Sequence, residues 1–357
     1  MDYSNLINEN SRSFIKQQLF ADKLRFLELL FSPDLQKVRR KVKSLKEDDS
    51  DEFLRLAVEL ENSRGYRIKN KTRSILDDII FRLKYGKPGN FKAVKADVAI
   101  VLIAKNEASY IEEWLDHYIR VGVDQIYYLD NDSTDNTCEV LKSYIDSGFV
   151  TYIKYKGKKA QLSGYRYVTR KIRKKTKWVA FLDADEFLYV KEGTLKDFLK
   201  EYEQYPGVVV NWIAYGPCGH EKRPEGGVVE NYTLTFADRN NEMNLRVKTI
   251  ARADMIWDIR SPHYCIYKKD RLAVDENKNQ LDGSNMLVPG QGRAITKKNS
   301  TNKIRINHYC TKSLEELEAK CKRGYAAGKD EPQYNKLLAR LNYPLMEDRE
   351  LADKCNK

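Results

Sequence analysis

Two aspartates and a glutamate follow a short apolar run near the middle of the chain. The run at 178–182, Trp-Val-Ala-Phe-Leu, has the length and bulk of a strand buried on both faces, and Asp183, Asp185 and Glu186 come after it. In an extended backbone, the two aspartates would present their carboxylates on one face. Such hard oxygen ligands can hold Mg²⁺ or Mn²⁺ and leave positions open for a diphosphate. The plainer alternative is a solvated acidic turn after a strand.

Polar clusters also follow two earlier apolar runs. The run at 98–104 is followed by Asn106 and Glu107, and the run at 126–129 is followed by the acidic segment 130–135. A helical pattern comes after each cluster, so the order is strand, helix, strand, helix with short loops. This order predicts a parallel α/β sheet. Because open α/β sheets bind ligands at the carboxyl ends of their strands, the three polar clusters are expected to converge on one ligand.

Composition limits the partners and the compartment. The 357 residues carry a net charge of +12, which indicates an anionic partner: a nucleotide, an acidic membrane surface or a nucleic acid. No aromatic stacking motif accompanies the basic residues, so no nucleic acid partner is expected. The six cysteines include no Cys-x-x-Cys pair, and the first residues lack the pattern of a signal peptide. No run reaches the roughly 18 to 20 apolar residues of a membrane span. A reduced, cytoplasmic protein is therefore expected.

The first 95 residues differ from those that follow. Apolar residues recur there at helical spacing in three sets: Phe14, Ile15, Leu19, Leu24, Leu27, Leu30 and Phe31; Phe53, Leu56, Ala57 and Leu60; and Ile75, Ile79, Ile80 and Leu83. The Gly-Lys-Pro-Gly sequence at 86–89 is a strong helix stop. The sequence predicts a helical extension, which is either a packing appendage or an amphipathic surface that docks on a membrane or a partner.

A basic run precedes the central acidic residues. Residues 154–177 include eleven Lys and Arg residues and no acid. A solvated basic helix is the ordinary interpretation of such a run. Attraction to anionic lipid or to a phosphorylated substrate is the competing interpretation.

Three segments, in order, resemble the GT-A glycosyltransferases, in particular their family-2-like branch and family 92. They are the first apolar run with its Asn-Glu, the segment 128–137 (Tyr-Leu-Asp-Asn-Asp-Ser-Thr-Asp-Asn-Thr), and the segment 178–187 with its Asp-x-Asp-Glu. The resemblance covers residues 97–325. It implies an α/β fold of the GT-A type, with a Rossmann-like, mainly parallel central sheet flanked by helices. The implied organisation is a helical N-terminal extension at 1–95, a glycosyltransferase domain at 96–325 and a C-terminal helical tail at 326–357.

The resemblance also implies roles for individual residues around a nucleotide-sugar donor. Asp183 and Asp185 would hold Mn²⁺ or Mg²⁺, and His308 would complete the metal shell. Asp130 would contact the base or ribose, and Lys312 would meet the phosphates. The residues implied at the donor pocket are Asn106, Glu107, Asp130, Gln161, Arg166, Asp183 and Lys312.

The catalytic base has no recognisable motif. An inverting transfer needs a carboxylate or imidazole that can take the proton of the acceptor hydroxyl within hydrogen-bond reach. His220 and Glu221, in a loop rich in glycine and proline, are the candidates, with Glu242 and Asp258 behind them. An inverting hexosyltransferase is expected, and the retaining outcome stays open.

The expected function is a metal-dependent transfer of a sugar from a nucleotide-sugar, expected to be a UDP-sugar, to a glycan or lipid-linked acceptor. With the basic run, this suggests a bacterial enzyme of surface polysaccharide or lipooligosaccharide synthesis, peripheral at the inner face of the cell membrane. Two other classes stay open: a non-catalytic nucleotide- or sugar-binding module of the same fold, and an Asp-x-Asp phosphohydrolase. The second class usually carries its motif on the first strand, whereas here the motif follows several strands.

Overall fold

The computed structural model describes residues 64–281, 294–323 and 344–355. Within these ranges the strands are β1 (Ala96–Ala104), β2 (Gln125–Asp130), β3 (Val150–Lys154), β4 (Thr176–Phe181), β5 (Glu186–Val190), β6 (Gly207–Ala214), β7 (Leu234–Phe236), β8 (Val247–Arg252), β9 (Ile256–Ile259), β10 (Cys265–Tyr267), β11 (Ile304–His308) and β12 (Leu345–Glu347). The α-helices there are α1 (Arg64–Tyr85), α2 (Ile111–Val121), α3 (Thr137–Val140), α4 (Lys142–Asp146), α5 (Ala160–Ile172), α6 (Leu195–Lys200), α7 (Val228–Asn231), α8 (Leu314–Arg323) and α9 (Glu350–Cys355).

β1 and β4 lie in the middle of the central sheet because their apolar residues fill both of its faces. In β1, Ile100 belongs to the hydrophobic cluster on one face and Val101 to the cluster on the other, and β4 alternates in the same way. A strand that is covered on both faces requires such a continuous apolar run. The prediction of a buried strand just before the acidic residues is therefore confirmed.

The directions of the strands create one edge that is rich in strand ends. The described sheet has the order β3-β2-β1-β4-β8-β6-β11-β5. β1 to β4 are mutually parallel, β6 is parallel to β11, β8 is antiparallel to β4 and β6, and β5 is antiparallel to β11. The carboxyl ends of β1 to β4, β6 and β11 therefore share an edge with the amino ends of β5 and β8, and we call it the carboxyl edge. The expected α/β fold of the GT-A type, with a mainly parallel sheet, is confirmed.

Helices cover both faces of this sheet. α2 lies on one face with Trp114 and Tyr118 fully buried, and it ends at Gly122, whose φ of 89° is in the left-handed region that glycine adopts readily. α5 covers the opposite face through Tyr165 and Val168. The sheet thus has a hydrophobic cluster on each side, and the loops at its carboxyl edge are left to carry polar residues.

α1 packs on the domain with its polar face inward. Its buried side chains include Asn70, Ser74 and Asp78. Asp78 Oδ1 lies 2.7 Å from Nη2 of Arg166 on α5, and the hydroxyl of Ser74 donates to the Asp258 carboxylate at 2.8 Å. A buried ion pair and a buried hydrogen bond therefore fix which face of α1 is turned toward the sheet.

The apolar face of α1 is consequently turned outward. Its exposed aliphatic side chains, with their exposed fractions, are Ile68 at 52%, Ile75 at 47%, Leu76 at 53%, Ile79 at 47%, Ile80 at 60% and Leu83 at 82%. The predicted helix before Gly86 is present, but its apolar set is not buried by the described part of the chain. The two earlier apolar sets lie outside the described residues. In the ranges that the structure describes, no helix combines the length and apolar character needed to cross a bilayer.

The described end of the chain packs on the main sheet. β12 pairs with β7, and Arg305 on β11 donates two hydrogen bonds to the Asp348 carboxylate at 2.8 and 3.0 Å. Leu351 and Ala352 on α9 are buried in the same cluster as β1. The described part of the predicted helical tail thus contains a strand as well as a helix, and the boundary at 326 stays a prediction.

Candidate functional site

The carboxyl edge brings together residues that are far apart in sequence. In the strand ladder, His308 at the end of β11 lies opposite Glu186 at the start of β5 and Ala214 at the end of β6. Lys248 lies near the start of β8, in which Ile250 pairs with Ala180 of β4. Continuing that antiparallel register by two residues places Lys248 beside the end of β4, where the acidic residues begin.

Residues 183–186, which we call the acidic turn, reverse the chain between β4 and β5. The amide of Glu186 donates to the Asp183 carbonyl at 3.1 Å, and the amide of Asp183 donates to the Glu186 carboxylate at 2.9 Å. The prediction of an extended backbone with both aspartates on one face is therefore wrong. The physical reason is the topology: β5 runs opposite to β4, so the chain must turn here. The two aspartates have different partners as a result.

Asp183 is held by a buried lysine and a glutamine. Lys248 Nζ lies 2.8 Å from Asp183 Oδ2 and 3.1 Å from Glu186 Oε2, and Gln161 Nε2 donates to Asp183 Oδ1 at 3.2 Å. The side chains of Lys248 and Glu186 are 1% and 0% exposed, whereas that of Asp183 is 35% exposed. Lys248 is thus an internal counterion, and Asp183 is the member of this group that reaches the surface of the edge.

Burial and charge act in opposite directions on this group. Burial would lower the pKa of Lys248, but the Asp183 and Glu186 carboxylates outweigh it and raise that pKa above its ordinary value. Burial raises the pKa of Glu186 well above its ordinary value, although Lys248 opposes that shift. Lys248 therefore keeps its proton and its positive charge.

Asp185 faces a second lysine and a histidine. Lys320 Nζ on α8 pairs with Asp185 Oδ2, and His308 Nε2 lies 3.5 Å from Asp185 Oδ1. Burial would raise the pKa of Asp185, but Lys320 and then His308 outweigh it and hold that pKa well below its ordinary value. The His308 ring packs on Trp212 with their centroids 4.1 Å apart. Asp185 is therefore an ionised carboxylate beside an imidazole whose orientation is fixed.

A divalent cation fits the pair formed by Asp185 and His308. Cation bonds to carboxylate oxygen and imidazole nitrogen are about 2.0 to 2.2 Å long, so atoms 3.5 Å apart can bind the same ion. The Nδ1 atom of His308 is buried and has no hydrogen-bond partner in the described structure. The described residues contain no group of three or more His, Cys, Asp or Glu side chains able to hold a metal. Diphosphate and water oxygens would supply the other ligands, which is the ordinary way in which proteins hold Mg²⁺ with a phosphate substrate.

The turns that follow β1 and β2 are hydrogen-bonded to each other. Asn106 Oδ1 accepts from the amide of Thr134 at 2.7 Å, and the amide of Asn106 donates to Ser133 Oγ at 3.0 Å. The amide of Glu107 donates to Thr137 Oγ1 at 3.0 Å. Asn106 and the backbone of Glu107, two residues predicted to line a donor pocket, therefore join these two turns and fix their relative positions.

Asp130 ends β2 at the base of the second turn. Its side chain is only 6% exposed, and its carboxylate accepts from the amide of Ser133 at 3.3 Å. Tyr152 on β3 lies beside it, and burial together with the Asp130 charge raises the pKa of the Tyr152 hydroxyl. Asp130 is thus a buried acceptor next to an aromatic ring.

Lys312 lies within electrostatic range of both Asp185 and Glu107, which belongs to the turn after β1. Its ammonium lies 4.2 Å from the ring centroid of Tyr110, and the guanidinium of Arg223 lies 4.3 Å from the same centroid. Burial lowers the pKa of Lys312, and the nearby Glu107 and Asp185 carboxylates oppose that shift. Lys312 therefore provides a positive charge between the first turn and the Asp185–His308 pair.

His220 and Glu221 lie in a loop that is attached to α8 through its backbone. The carbonyls of His220 and Glu221 accept from the amides of Leu314 and Glu315 at 3.1 and 3.0 Å. The His220 ring is half-buried against Tyr232, and the Glu221 side chain is exposed. Since α8 also carries Lys320, this loop and the Asp185–His308 pair are connected through one helix.

Arg166 and Asp258 belong to the interface with α1. Arg166 donates to Asp78 and to the Ile259 carbonyl, and Asp258 accepts from Ser74 and Lys71. The structure therefore brings Gln161, but not Arg166, to the acidic turn. Glu242 lies in the loop that precedes β8.

The sequence reasoning missed Lys248, Lys320 and the buried role of Glu186. Lys248 did leave a signal, because Val-Lys-Thr-Ile-Ala at 247–251 places a lysine on the same strand face as Ile250. A charged residue on the apolar face of a buried strand requires a buried partner. Lys320 left no such signal, because it is one of several charged residues on its helix.

Comparisons with known proteins identify the family of this chain. The model of glycosyltransferase family 92 matches residues 98–323. A family 92 protein of Oryza sativa subsp. japonica is 32% identical over 178 residues, which are 48% of this chain and 29% of the rice protein. A family 92 protein of Ricinus communis is 29% identical over 143 residues, which are 38% of this chain and 26% of that protein. The chain thus matches less than a third of the length of these plant relatives.

Among solved structures, Staphylococcus aureus TarS aligns with a TM-score of 0.35 and 15% identity over 68% of this chain and 42% of the TarS chain. The family match extends from β1 through α8 and so includes the acidic turn, Lys248 and His308. The chain therefore belongs to glycosyltransferase family 92.

Proposed function

We propose that this protein is a metal-dependent glycosyltransferase that moves a hexosyl group from a UDP-sugar to a glycan or lipid-linked acceptor. The observation that carries the proposal is the pairing of Asp185 with His308 at the carboxyl edge, 3.5 Å apart and beside Lys312 and Lys320. One carboxylate that is 13% exposed, one imidazole and two lysines suit a cation together with a diphosphate.

Asp185 and His308 would hold Mn²⁺ or Mg²⁺, which when bound neutralises the charge that develops on a departing nucleoside diphosphate. The chain's own part in this is electrostatic. Lys312 and Lys320 place two further positive charges near the same point, in surroundings that are largely removed from water. Asp130 is proposed to accept a hydrogen bond from the base or ribose, because its buried carboxylate lies at the neighbouring strand end.

The transfer itself requires a proton acceptor. The acceptor hydroxyl oxygen bonds to the anomeric carbon, the bond from that carbon to the diphosphate oxygen breaks, and the hydroxyl proton passes to a base of the protein. We place His220 or Glu221 in that role, in an inverting reaction, because their loop is attached to α8 beside Lys312. Replacing each with Ala separately should identify the base by a loss in kcat with little change in KM for the donor.

A thermal-shift and turnover experiment tests the proposal. Nucleotide-sugars are added with and without Mn²⁺ to the wild type, to Asp185→Asn, and to Asp146→Asn, in which the same change is made at an exposed position on α4. The wild type and Asp146→Asn should be stabilised by the nucleotide-sugars of one nucleoside diphosphate, and only when Mn²⁺ is present. Both proteins should also transfer the sugar of such a donor. Asp185→Asn should remain folded and lose both responses.

The alternative classes give different outcomes in the same experiment. A non-catalytic module would bind the nucleotide-sugar without turnover, and a phosphohydrolase would cleave it with water into a nucleoside monophosphate and a sugar phosphate. Unchanged turnover by Asp185→Asn, or by the wild type in excess chelator, would contradict the metal-dependent proposal.

We also propose that an anionic membrane surface is the partner of the outward face of α1. That face is aliphatic, and exposed Arg73 and Lys84 on the same helix and Arg173 and Lys174 just after α5 add positive charge. An aliphatic stripe with basic residues nearby is the composition of a helix that lies in the interface of an anionic bilayer. This supports a peripheral position at the inner face of a cell membrane and an acceptor that is lipid-linked.

A further inference from the structure

Lys248 is the least exposed cation at the carboxyl edge, and it contacts two carboxylates at once. Its Nζ lies 2.8 Å from Asp183 Oδ2 and 3.1 Å from Glu186 Oε2, and its side chain is 1% exposed. A lysine loses its hydration when it is buried to this extent, so it persists only where carboxylates compensate the loss. The two carboxylates here are unequal, because Glu186 is fully buried and Asp183 is one-third exposed.

The geometry shows more than the neutralisation of a buried glutamate. Glu186 Oε2 also accepts from the amide of Asp183, and Gln161 holds the other carboxylate oxygen of Asp183. Asp183 is therefore fixed through its backbone by Glu186, through one carboxylate oxygen by Lys248 and through the other by Gln161. A single buried ion pair between Lys248 and Glu186 would not need the contact with Asp183.

We propose that Lys248 is the positioning residue of the donor site: its ammonium fixes Asp183 at the carboxyl edge and weakens the attraction of the acidic turn for a free divalent cation. The turn carries Asp183, Asp185 and Glu186, while Lys248 and Lys320 contact it from β8 and α8. Because all three carboxylates contact a lysine, a cation binds tightly only together with the diphosphate. This inference rests on the proposed function for the identity of the diphosphate ligand.

Four variants separate positioning from simple charge compensation. Lys248→Met removes the charge at similar length, and Lys248→Arg keeps the charge with a different shape. The double variant Lys248→Met/Glu186→Gln removes one cation and one buried carboxylate together, so the fold is not left with an unpaired buried Glu186. Lys200→Met makes the same charge change on α6, where Lys200 is 71% exposed, and serves as the matched control.

Two binding measurements and thermal unfolding are made on each protein: Mn²⁺ alone by electron paramagnetic resonance, and UDP in saturating Mn²⁺ by calorimetry. Lys248→Met should bind Mn²⁺ alone about tenfold more tightly because a nearby like charge is gone. The double variant, which loses a positive and a negative charge together, should unfold near the wild-type temperature and bind Mn²⁺ alone as the wild type does. It should bind UDP about tenfold more weakly because Asp183 has lost its partner. Lys248→Arg should restore part of the UDP affinity. Lys200→Met should match the wild type in all three measurements.

The outcomes separate the two proposals. If the double variant binds UDP as the wild type does, Lys248 only neutralises Glu186 and the positioning role is wrong. If the wild type binds no UDP, the proposed function fails, and the Mn²⁺ affinities alone decide the role of Lys248. Equal Mn²⁺ affinities in all proteins, or no Mn²⁺ binding by any of them, would overturn the proposed role of Lys248.

Discussion

At the residue scale, Asp130 has two roles that a substitution can separate. Its carboxylate accepts from the amide of Ser133 and so shapes the turn after β2. The proposed donor contact requires the same group to accept from a bound nucleoside. The exposed Asp132 in the same turn pairs with Lys156 at 2.7 Å and has no part in the proposed pocket.

Replacing Asp130 with Ala should weaken the binding of the nucleoside diphosphate about tenfold to a hundredfold. The reason is that donors of the base or ribose lose a charged partner, which costs about 1.5 to 3 kcal/mol. Asp130→Asn should keep the turn and the thermal stability, because an amide oxygen remains for Ser133, yet lose most of the affinity. Calorimetry with Asp132→Ala as the control measures this. Wild-type affinity in Asp130→Ala would place Asp130 outside the donor site.

The residues of the site differ in how visible they are in the sequence. Asp183 and Asp185 could be selected because they adjoin an apolar run, and the segment after β2 because it is densely polar. Arg166 carries the same basic signal as its neighbours, but its guanidinium is used by Asp78, 88 residues away. Such a pairing depends on tertiary packing, and no local pattern encodes it. The same is true of Lys320 and Asp185.

At the element scale, strands were easier to predict than the orientation of helices. The apolar runs at 98–104 and 178–182 correspond to β1 and β4, because a strand covered on both faces has a continuous apolar sequence. The pattern of α1 correctly predicts a helix but not which face packs. There, the buried pairing of Asp78 with Arg166 decides the orientation over the aliphatic stripe.

α2 contains a buried histidine whose titration should affect stability. His117 is 2% exposed, and its Nε2 lies 2.8 Å from the Leu188 carbonyl of β5. Burial lowers the pKa of His117 from 6.5 to about 4, and the contact with Leu188 opposes this shift only in part. The folded protein therefore binds fewer protons than the unfolded chain between these two pH values, so stability is complete above pH 6.5 and falls as the pH is lowered toward 4.

A His117→Gln variant should lack that part of the pH dependence. Glutamine retains an N–H donor for Leu188 but does not titrate. The stability advantage of the wild type over the variant should therefore shrink by about 3 kcal/mol between pH 7 and pH 4, at roughly 1.4 kcal/mol per pKa unit. Urea unfolding of both proteins at several pH values measures this difference. An advantage that stays constant with pH would mean that His117 does not stay neutral in the folded state.

At the scale of the whole molecule, the basic run is less free than its composition indicates. Acids from other parts of the chain pair with some of its members: Asp132 with Lys156, Asp78 with Arg166 and Arg170, and Glu203 with Lys177. The run also includes α5, whose inner side is buried on the sheet. Exposed charges such as Arg173 and Lys174 remain as the part available to a lipid surface.

Wild-type protein should cosediment with anionic vesicles but not with neutral ones, and added salt should release it. Each basic residue near such a surface contributes about 1 kcal/mol, and screening limits that attraction to about 8 Å at physiological ionic strength. Leu76→Gln/Ile80→Gln/Leu83→Gln should lose binding because the aliphatic stripe is gone. Arg173→Glu/Lys174→Glu should lose it more than Lys142→Glu/Lys303→Glu, which makes the same charge change at exposed positions on α4 and before β11.

Binding to both vesicle types or to neither would contradict the membrane proposal. Light scattering would then test whether a second copy of the chain covers the outward face of α1. A mass twice that of the chain indicates a second copy. A monomer would exclude a second copy.

The separation of the acidic turn from its lysines along the chain also has a consequence for synthesis on the ribosome. Asp183 is 65 residues before Lys248, and Asp185 is 135 residues before Lys320. At about 5 to 20 residues per second, the first lysine emerges roughly 3 to 13 s after the aspartates. During that interval the nascent chain carries β1 to β4 and the acidic turn without the cations that compensate it. We therefore expect this edge to stay open until β8 is made, and the contacts of Asp185 to be completed later, when α8 follows.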